Sequence, residues 1–176
     1  MGRHVALLRA VNVGGRKLPM AELRALCGEI GWEDVATYIQ SGNVVFSAAA
    51  VAGALETQLE GAIAKSFGMD VPVIVRTAAQ WKRYAPSNPF PQAAKAAPNR
   101  LMLFLAKHPP AAGAEEAIQA KAAAGEQVRR AGDALWIHFP EGSGTSKLTP
   151  ALIDRAIGSP ATSRNHNTVV KLEEML

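Results

Sequence analysis

Residues 35–47, VATYIQSGNVVFS, decide the fold of this chain. Val35 to Gln40 and Asn43 to Ser47 are rich in β-branched and aromatic residues. Ser41-Gly42 between them offers a glycine for the positive φ that a tight hairpin turn demands. Working outward on the N-terminal side, Leu23, Leu26, Cys27 and Ile30 recur at spacings of three and four. They predict a helix with one core-facing stripe, begun near Pro19 and ended by Gly31. Before it, His4 to Arg9 (HVALLR) is apolar on both faces, as a central strand covered on both sides must be. On the C-terminal side Leu55, Leu59, Ile63 and Phe67 share one helical face, and Val71 to Arg76 reads as a closing strand. Strand, helix, strand, strand, helix, strand is the order of a ferredoxin-like unit.

The pattern then restarts. Residues 85–99 contain Pro86, Pro89, Pro91 and Pro98 and read as a connector. Leu101 to Leu105 (LMLFL) is a second continuously apolar strand, an Ala-rich helix is expected over about Gly113 to Ala124, and two strands flank Ala131-Gly132-Asp133. Thr149-Pro150 opens a helix reaching about Ile157. The tail, Asn165 to Leu176, predicts a final helix with Val169, Leu172 and Met175 or Leu176 as its apolar stripe. The expected class is therefore α+β: duplicated ferredoxin-like (βαββαβ) subdomains at 1–84 and 100–176, joined by the 85–99 connector, with a C-terminal helix. On this reading the second unit ends in helix where the first ends in strand.

Composition narrows the classes of function. Of 176 residues 48% are hydrophobic, and 19 Lys and Arg stand against 15 Asp and Glu, a net charge of +4. The basic residues come in pairs (Arg16-Lys17, Lys82-Arg83, Arg129-Arg130), which permits an anionic partner without requiring one. The single cysteine, Cys27, lies in the helical stripe, where it packs and cannot form an internal disulfide. No apolar stretch approaches the roughly 18 residues of a membrane span. A cytoplasmic protein with no membrane partner is expected.

Candidate sites fall where strands hand over to helices. Asn12, Gly14, Gly15, Arg16 and Lys17 offer two glycine N–H groups, two cations and a nearby helix start, all attractive to phosphate or carboxylate. A right-handed crossover makes the first two strands parallel, so this loop and the hairpin tip with Gln40, Ser41 and Asn43 belong at the same end of the sheet. A second glycine-rich loop, Gly142 to Lys147, lies between strand and helix but lacks the Gly-Lys-Ser or Gly-Lys-Thr of a P-loop, leaving Lys147 as a candidate anion contact. A third cluster, Thr162 to Thr168, is dense in polar residues just before or inside the last helix. Arg164 and Asn165 are ligand candidates there, and His166 is a candidate acid or base. The four histidines form no metal-ligand spacing, no G-x-S-x-G elbow or dinucleotide fingerprint occurs, and no cofactor or metal is called for. Trp32, Trp81 and Trp136 read as core or interface anchors, and with no aromatic in His4 to Arg9 and only Phe46 in Asn43 to Ser47 the first sheet does not match an RNA-recognition surface.

Three stretches, ALLRAVNVGG, MAELRALCGEIGWEDVATYIQSGNVVF and ATSRNHNTVVKLEEM, resemble the bacterial family named domain of unknown function 1697. The likeness spans essentially the whole chain. It implies a duplicated ferredoxin-like α+β fold and brings no assigned activity or catalytic residues. Where the family's tail favours an aromatic such as Trp after Arg-Asn, this chain has His166. Three functional expectations follow. The first is a small phosphorylated or anionic ligand, or nucleic-acid backbone, held by the basic loops. The second is an enzyme using His166 and Arg164 on an anionic substrate, and the third a non-catalytic interaction scaffold.

Overall fold

The computed structural model describes residues 1–176. The chain forms two compact units, one of Met1–Lys82 with Leu172–Leu176 and one of Arg83–Lys171.

The first unit runs β1 (Gly2–Leu8), α1 (Met20–Glu29), β2 (Glu33–Tyr38), β3 (Asn43–Ala48), α2 (Ala52–Phe67), β4 (Val73–Thr77) and a single helical turn, α3 (Ala78–Trp81). Its four strands form an antiparallel sheet in the order β2-β3-β1-β4. Strand alternation sends Ala6, Leu8, Val44, Phe46, Val73 and Val75 into one core with the stripes Leu23, Leu26, Cys27 of α1 and Leu55, Leu59, Ile63 of α2. Val5, Leu7, Val45 and Ile74, on the alternate positions, are also buried, as the unbroken apolar run of β1 requires. Trp32 stacks on Phe46 at 3.7 Å between ring centroids, and its indole N–H donates to Gln58 Oε1 at 3.0 Å. A register shift in β2 lies between Glu33 and Ala36, where Asp34 takes a φ of 49°.

The second unit begins with a connector that is folded rather than extended. Tyr84 is buried with its hydroxyl on Asp133 Oδ2 at 3.0 Å, and α4 (Pro91–Ala96) and a 3₁₀ turn, η1 (Pro98–Arg100), lead into the sheet. There follow β5 (Leu101–Ala106), α5 (Ala114–Gln119), β6 (Gln127–Ala131), β7 (Ala134–His138), η2 (Ser143–Thr145), α6 (Pro150–Ile157), β8 (Ala161–Asn165) and α7 (His166–Glu174). The sheet order, β6-β7-β5-β8, is again antiparallel throughout. Its helix-covered core holds Ile118, Val128, Leu135, Ile137, Phe139, Ile153 and Ile157.

Two elements differ from the sequence reading. Residues 161–165, expected as approach to or start of the last helix, form β8 on the edge of β5, so this unit also closes in a strand before its helix. Helix α5 stops at Gln119 although Ala-rich sequence continues to Ala124. The N–H groups of Ala123 and Ala124 donate instead to the Glu126 carboxylate, at 3.0 and 2.7 Å, and the chain turns at Gly125 with a φ of 78°. Local helix propensity thus yields to a charged acceptor two to three residues ahead. No helix is long and apolar enough to cross a membrane.

Candidate functional site

At one end of the first sheet the chain leaves β1, loops through residues 9–19 and enters α1. The tip of the β2–β3 hairpin arrives at the same end, and Asn12 joins the two. Its amide nitrogen donates to Gln40 O at 2.6 Å and to Leu18 O at 3.0 Å, while its Oδ1 accepts from Leu18 N at 2.8 Å. Asn12 N also donates to Arg16 O at 2.6 Å, closing the turn over Gly14 and Gly15. Gly42 permits the hairpin to approach: Leu8 N donates to Gly42 O at 2.8 Å, and a Cβ on Gly42 would lie 2.8 Å from both Leu8 Cβ and Val11 Cγ2. The loop and the hairpin tip are therefore brought together, and Asn12 itself is spent on holding them.

The clasp leaves an open pocket of about 480 Å³ lined by Asn12, Gly15, Arg16, Lys17, Pro19 and Gln40. Two cations and no carboxylate line it. The Arg16 guanidinium donates once, to Asp70 O at 2.6 Å, so most of its fork stays available; Lys17 and Gln40 are exposed. Backbone conformation adds a feature that pattern reading missed. Ala10, Asn12 and Ile39, with φ of 54°, 55° and 50°, all occupy the left-handed region within this small assembly. For a β-branched residue such as Ile39 that is a genuine outlier, sustained only because the surroundings over-determine it. Val13 and Ile39 are also exposed, unlike the apolar residues of the strands.

The remaining hairpin candidates serve the turn itself. Asn43 is fully buried, its amide donating to Tyr38 O at 2.9 Å and Ser41 Oγ at 3.0 Å, bonds that brace the hairpin turn, while Ser41 is half-buried beside it.

The candidates of the second unit are placed separately along it. Arg164 sits in β8, paired in register with Leu103, and is buried rather than loop-borne. Its guanidinium donates to Thr162 Oγ1 at 2.9 Å and Ser163 O at 2.7 Å, and desolvation lowers its pKa to about 10, leaving it charged at neutral pH. Asn165 accepts from Thr168 N at 3.0 Å, a cap on α7. His166, half-buried on the first turn of α7, lies 6.0 Å from the Trp136 ring and has its pKa lowered by burial. Lys147 is exposed on the Gly142–Lys147 loop.

That loop has an anchor absent from the sequence reading. Ser146 Oγ donates to Glu126 Oε1 at 2.5 Å, and the same carboxylate accepts the two alanine N–H groups named above. These hydrogen bonds, the Ser146 one foremost, hold the Glu126 pKa down at about 2 although burial opposes it. A buried carboxylate with several donors is a loop-fixing device, and nothing in the linear spacing of Glu126 and Ser146 announces it.

Comparison with curated proteins gives no match. Among solved structures, the conserved bacterial protein SP0830 from Streptococcus pneumoniae is similar over 100% of this chain and 98% of its own, with a TM-score of 0.76 and 24% identity. That likeness establishes the α+β fold with two four-stranded antiparallel sheets. The model of the family described as protein of unknown function (DUF1697) matches residues 1–136, which carry the whole clasp, and the chain belongs to that family.

Proposed function

We propose that this protein binds a small phosphorylated or otherwise anionic ligand at the end of its first sheet, in the pocket between the Asn12–Lys17 loop and Gln40. The observation that carries the reading is a pocket of about 480 Å³ whose only charged lining residues, Arg16 and Lys17, are both cationic. Uncompensated positive charge held on a strained, cross-clasped backbone is what anion recognition uses, since donors fixed in advance cost little to organise. Gly15 N–H and the Gln40 amide supply neutral donors beside the cations. A concave site of this size favours a compact ligand over the extended backbone of a nucleic acid. Arg164, buried in β8, and Asn165, a helix cap, are assigned to the fold of the second unit. A cytoplasmic setting is part of the proposal, supported by the buried, free thiol of Cys27.

We further infer that the chain is an internal duplication of a ferredoxin-like unit. Both sheets share one strand order relative to the chain. In each, the fourth strand carries a buried arginine as its fourth residue, Arg76 or Arg164, and then a capping residue, Thr77 or Asn165. Thr77 Oγ1 accepts from Gln80 N at 3.2 Å, as Asn165 accepts from Thr168. The same junction in both units supports descent from one ancestor.

The binding proposal is tested by a thermal-shift screen of the full chain against nucleotides, sugar phosphates, oligonucleotides and inorganic phosphate at two salt concentrations. A ligand at about 100 times its Kd stabilises by roughly 2.7 kcal/mol, or several degrees. The expected result is a selective shift for one class of small anion that the Arg16→Gln/Lys17→Gln double variant loses. An equal shift with sodium chloride, or one undiminished in the double variant, overturns it.

A further inference from the structure

The second unit holds a cavity that none of the sites above uses. It measures about 510 Å³ and lies where the connector folds against the sheet end, walled by Pro89, Phe90, Pro91, Ala96, Ala97 and Pro140. Gln92 of α4 lines it too, together with three polar side chains from the sheet end: Arg100, Gln127 and His138. They converge for a topological reason. Gln127 and His138 are direct cross-strand partners on β6 and β7, so their side chains share a face. Leu101, next to Arg100, pairs with His138 from the other side. Phe139 N donates to Arg100 O at 2.8 Å and Arg100 Nη1 donates to Pro140 O, which fixes the guanidinium at the rim.

The chemistry of the lining is asymmetric. Its walls are flat and apolar: three proline rings and Phe90, whose ring stands 6.4 Å from the His138 imidazole at 42°. Its charge is a single cation, Arg100, whose one partner is a backbone carbonyl, and no Asp or Glu lines the cavity. A pocket of this volume with apolar walls and a few convergent polar groups is the usual form of a small-molecule site. Flat walls accept an aromatic body face-on or edge-on. One exposed guanidinium presents a planar fork that matches a carboxylate in shape and cancels one negative charge, where a doubly charged phosphate monoester would leave one unanswered.

We propose that this cavity is a binding site for a small aromatic carboxylic acid. Its ring lies between Phe90 and the proline walls, its carboxylate pairs with Arg100, and Gln127 and His138 supply further hydrogen bonds. The site is independent of the anion pocket of the first unit.

The test is an NMR titration of the ¹⁵N-labelled full chain with 2-naphthoate. Parallel titrations use 2-naphthylmethanol, which lacks the charge, acetate, which lacks the ring, and phenyl phosphate, which carries the second charge. The expected result is saturable shifts at Phe90, Ala97, Gln127 and His138 with 2-naphthoate, at least tenfold weaker binding of the alcohol and phenyl phosphate, and none of acetate. Arg100→Gln should weaken 2-naphthoate at least tenfold and leave the alcohol unchanged. Ala96→Leu, which fills the cavity from an exposed position, should abolish both while the thermal midpoint stays near wild type. Absence of shifts at these residues, equal binding of acetate or phenyl phosphate, indifference to Arg100→Gln, or indifference to Ala96→Leu each overturns the proposal.

Discussion

Replacing Gly42 by alanine tests the clasp on which the anion pocket depends. At φ 82° an L-residue costs about 1–2 kcal/mol, and the new Cβ would meet Leu8 Cβ and Val11 Cγ2 at 2.8 Å, closer than carbon atoms pack. Leu8 Cβ cannot swing away, being the first side-chain atom of a residue whose N–H donates to Gly42 O. Relief therefore needs the backbone of the hairpin or of β1 to move, an overpacking cost of about 1–3 kcal/mol. The sum is roughly 2–5 kcal/mol. Gly14→Ala is the control: its φ is 57°, but no atom lies within 4 Å of the added Cβ, so only the backbone term of about 1–2 kcal/mol applies. Urea denaturation of both variants measures the difference, and hydrogen exchange at the Leu8 amide locates it. Gly42→Ala should be the less stable of the two, with faster exchange at Leu8. Equal stability would refute the argument that close approach, rather than turn conformation alone, makes this position glycine.

Two further outcomes follow from buried ionisable groups. Glu126→Gln should destabilise by about 1.5–3 kcal/mol, the usual worth of charge-assisted hydrogen bonds, read from its urea midpoint. Because the folded pKa of Glu126, about 2, lies below its ordinary 4.5, its contribution is full above pH 4.5 and is lost as pH falls toward 2. The glutamine variant should accordingly show a shallower loss of stability across that window. Cys27 is buried, and desolvation pushes its thiol up to about 12, so a disulfide reagent at pH 8 should not label it in the native protein and should label it fully in denaturant.

Most of the architecture is legible in the sequence because its elements carry strong periodic signals. The all-apolar β1, the three-and-four spacing of α1 and α2, and the Gly42 hairpin each have one physical interpretation. Strand β8 escaped because Ala-Thr-Ser-Arg-Asn has neither β-branched density nor an apolar alternation; its strand character comes from pairing with β5, a tertiary cause. The end of helix α5 is not legible because alanine propensity is local, while the Glu126 carboxylate that takes the N–H groups of Ala123 and Ala124 is a long side chain folding back. The meeting of Asn12 with Gln40 followed from crossover handedness. The left-handed Ile39, the commitment of Asn43 to its own turn and the Arg100 cavity did not, since strain, burial and convergence are properties of the packed chain.

Whether the pocket between Arg16, Lys17 and Gln40 takes an anion is the most direct question to put to this protein. An NMR titration of the ¹⁵N-labelled full chain with inorganic phosphate at low and moderate salt measures this residue by residue. The prediction is saturable shifts confined to Gly14–Lys17 and Gln40, weakened by salt and absent from the Arg16→Gln/Lys17→Gln variant. Shifts that never saturate, that scatter over other lysines and arginines, or that persist in the double variant would contradict the proposed site.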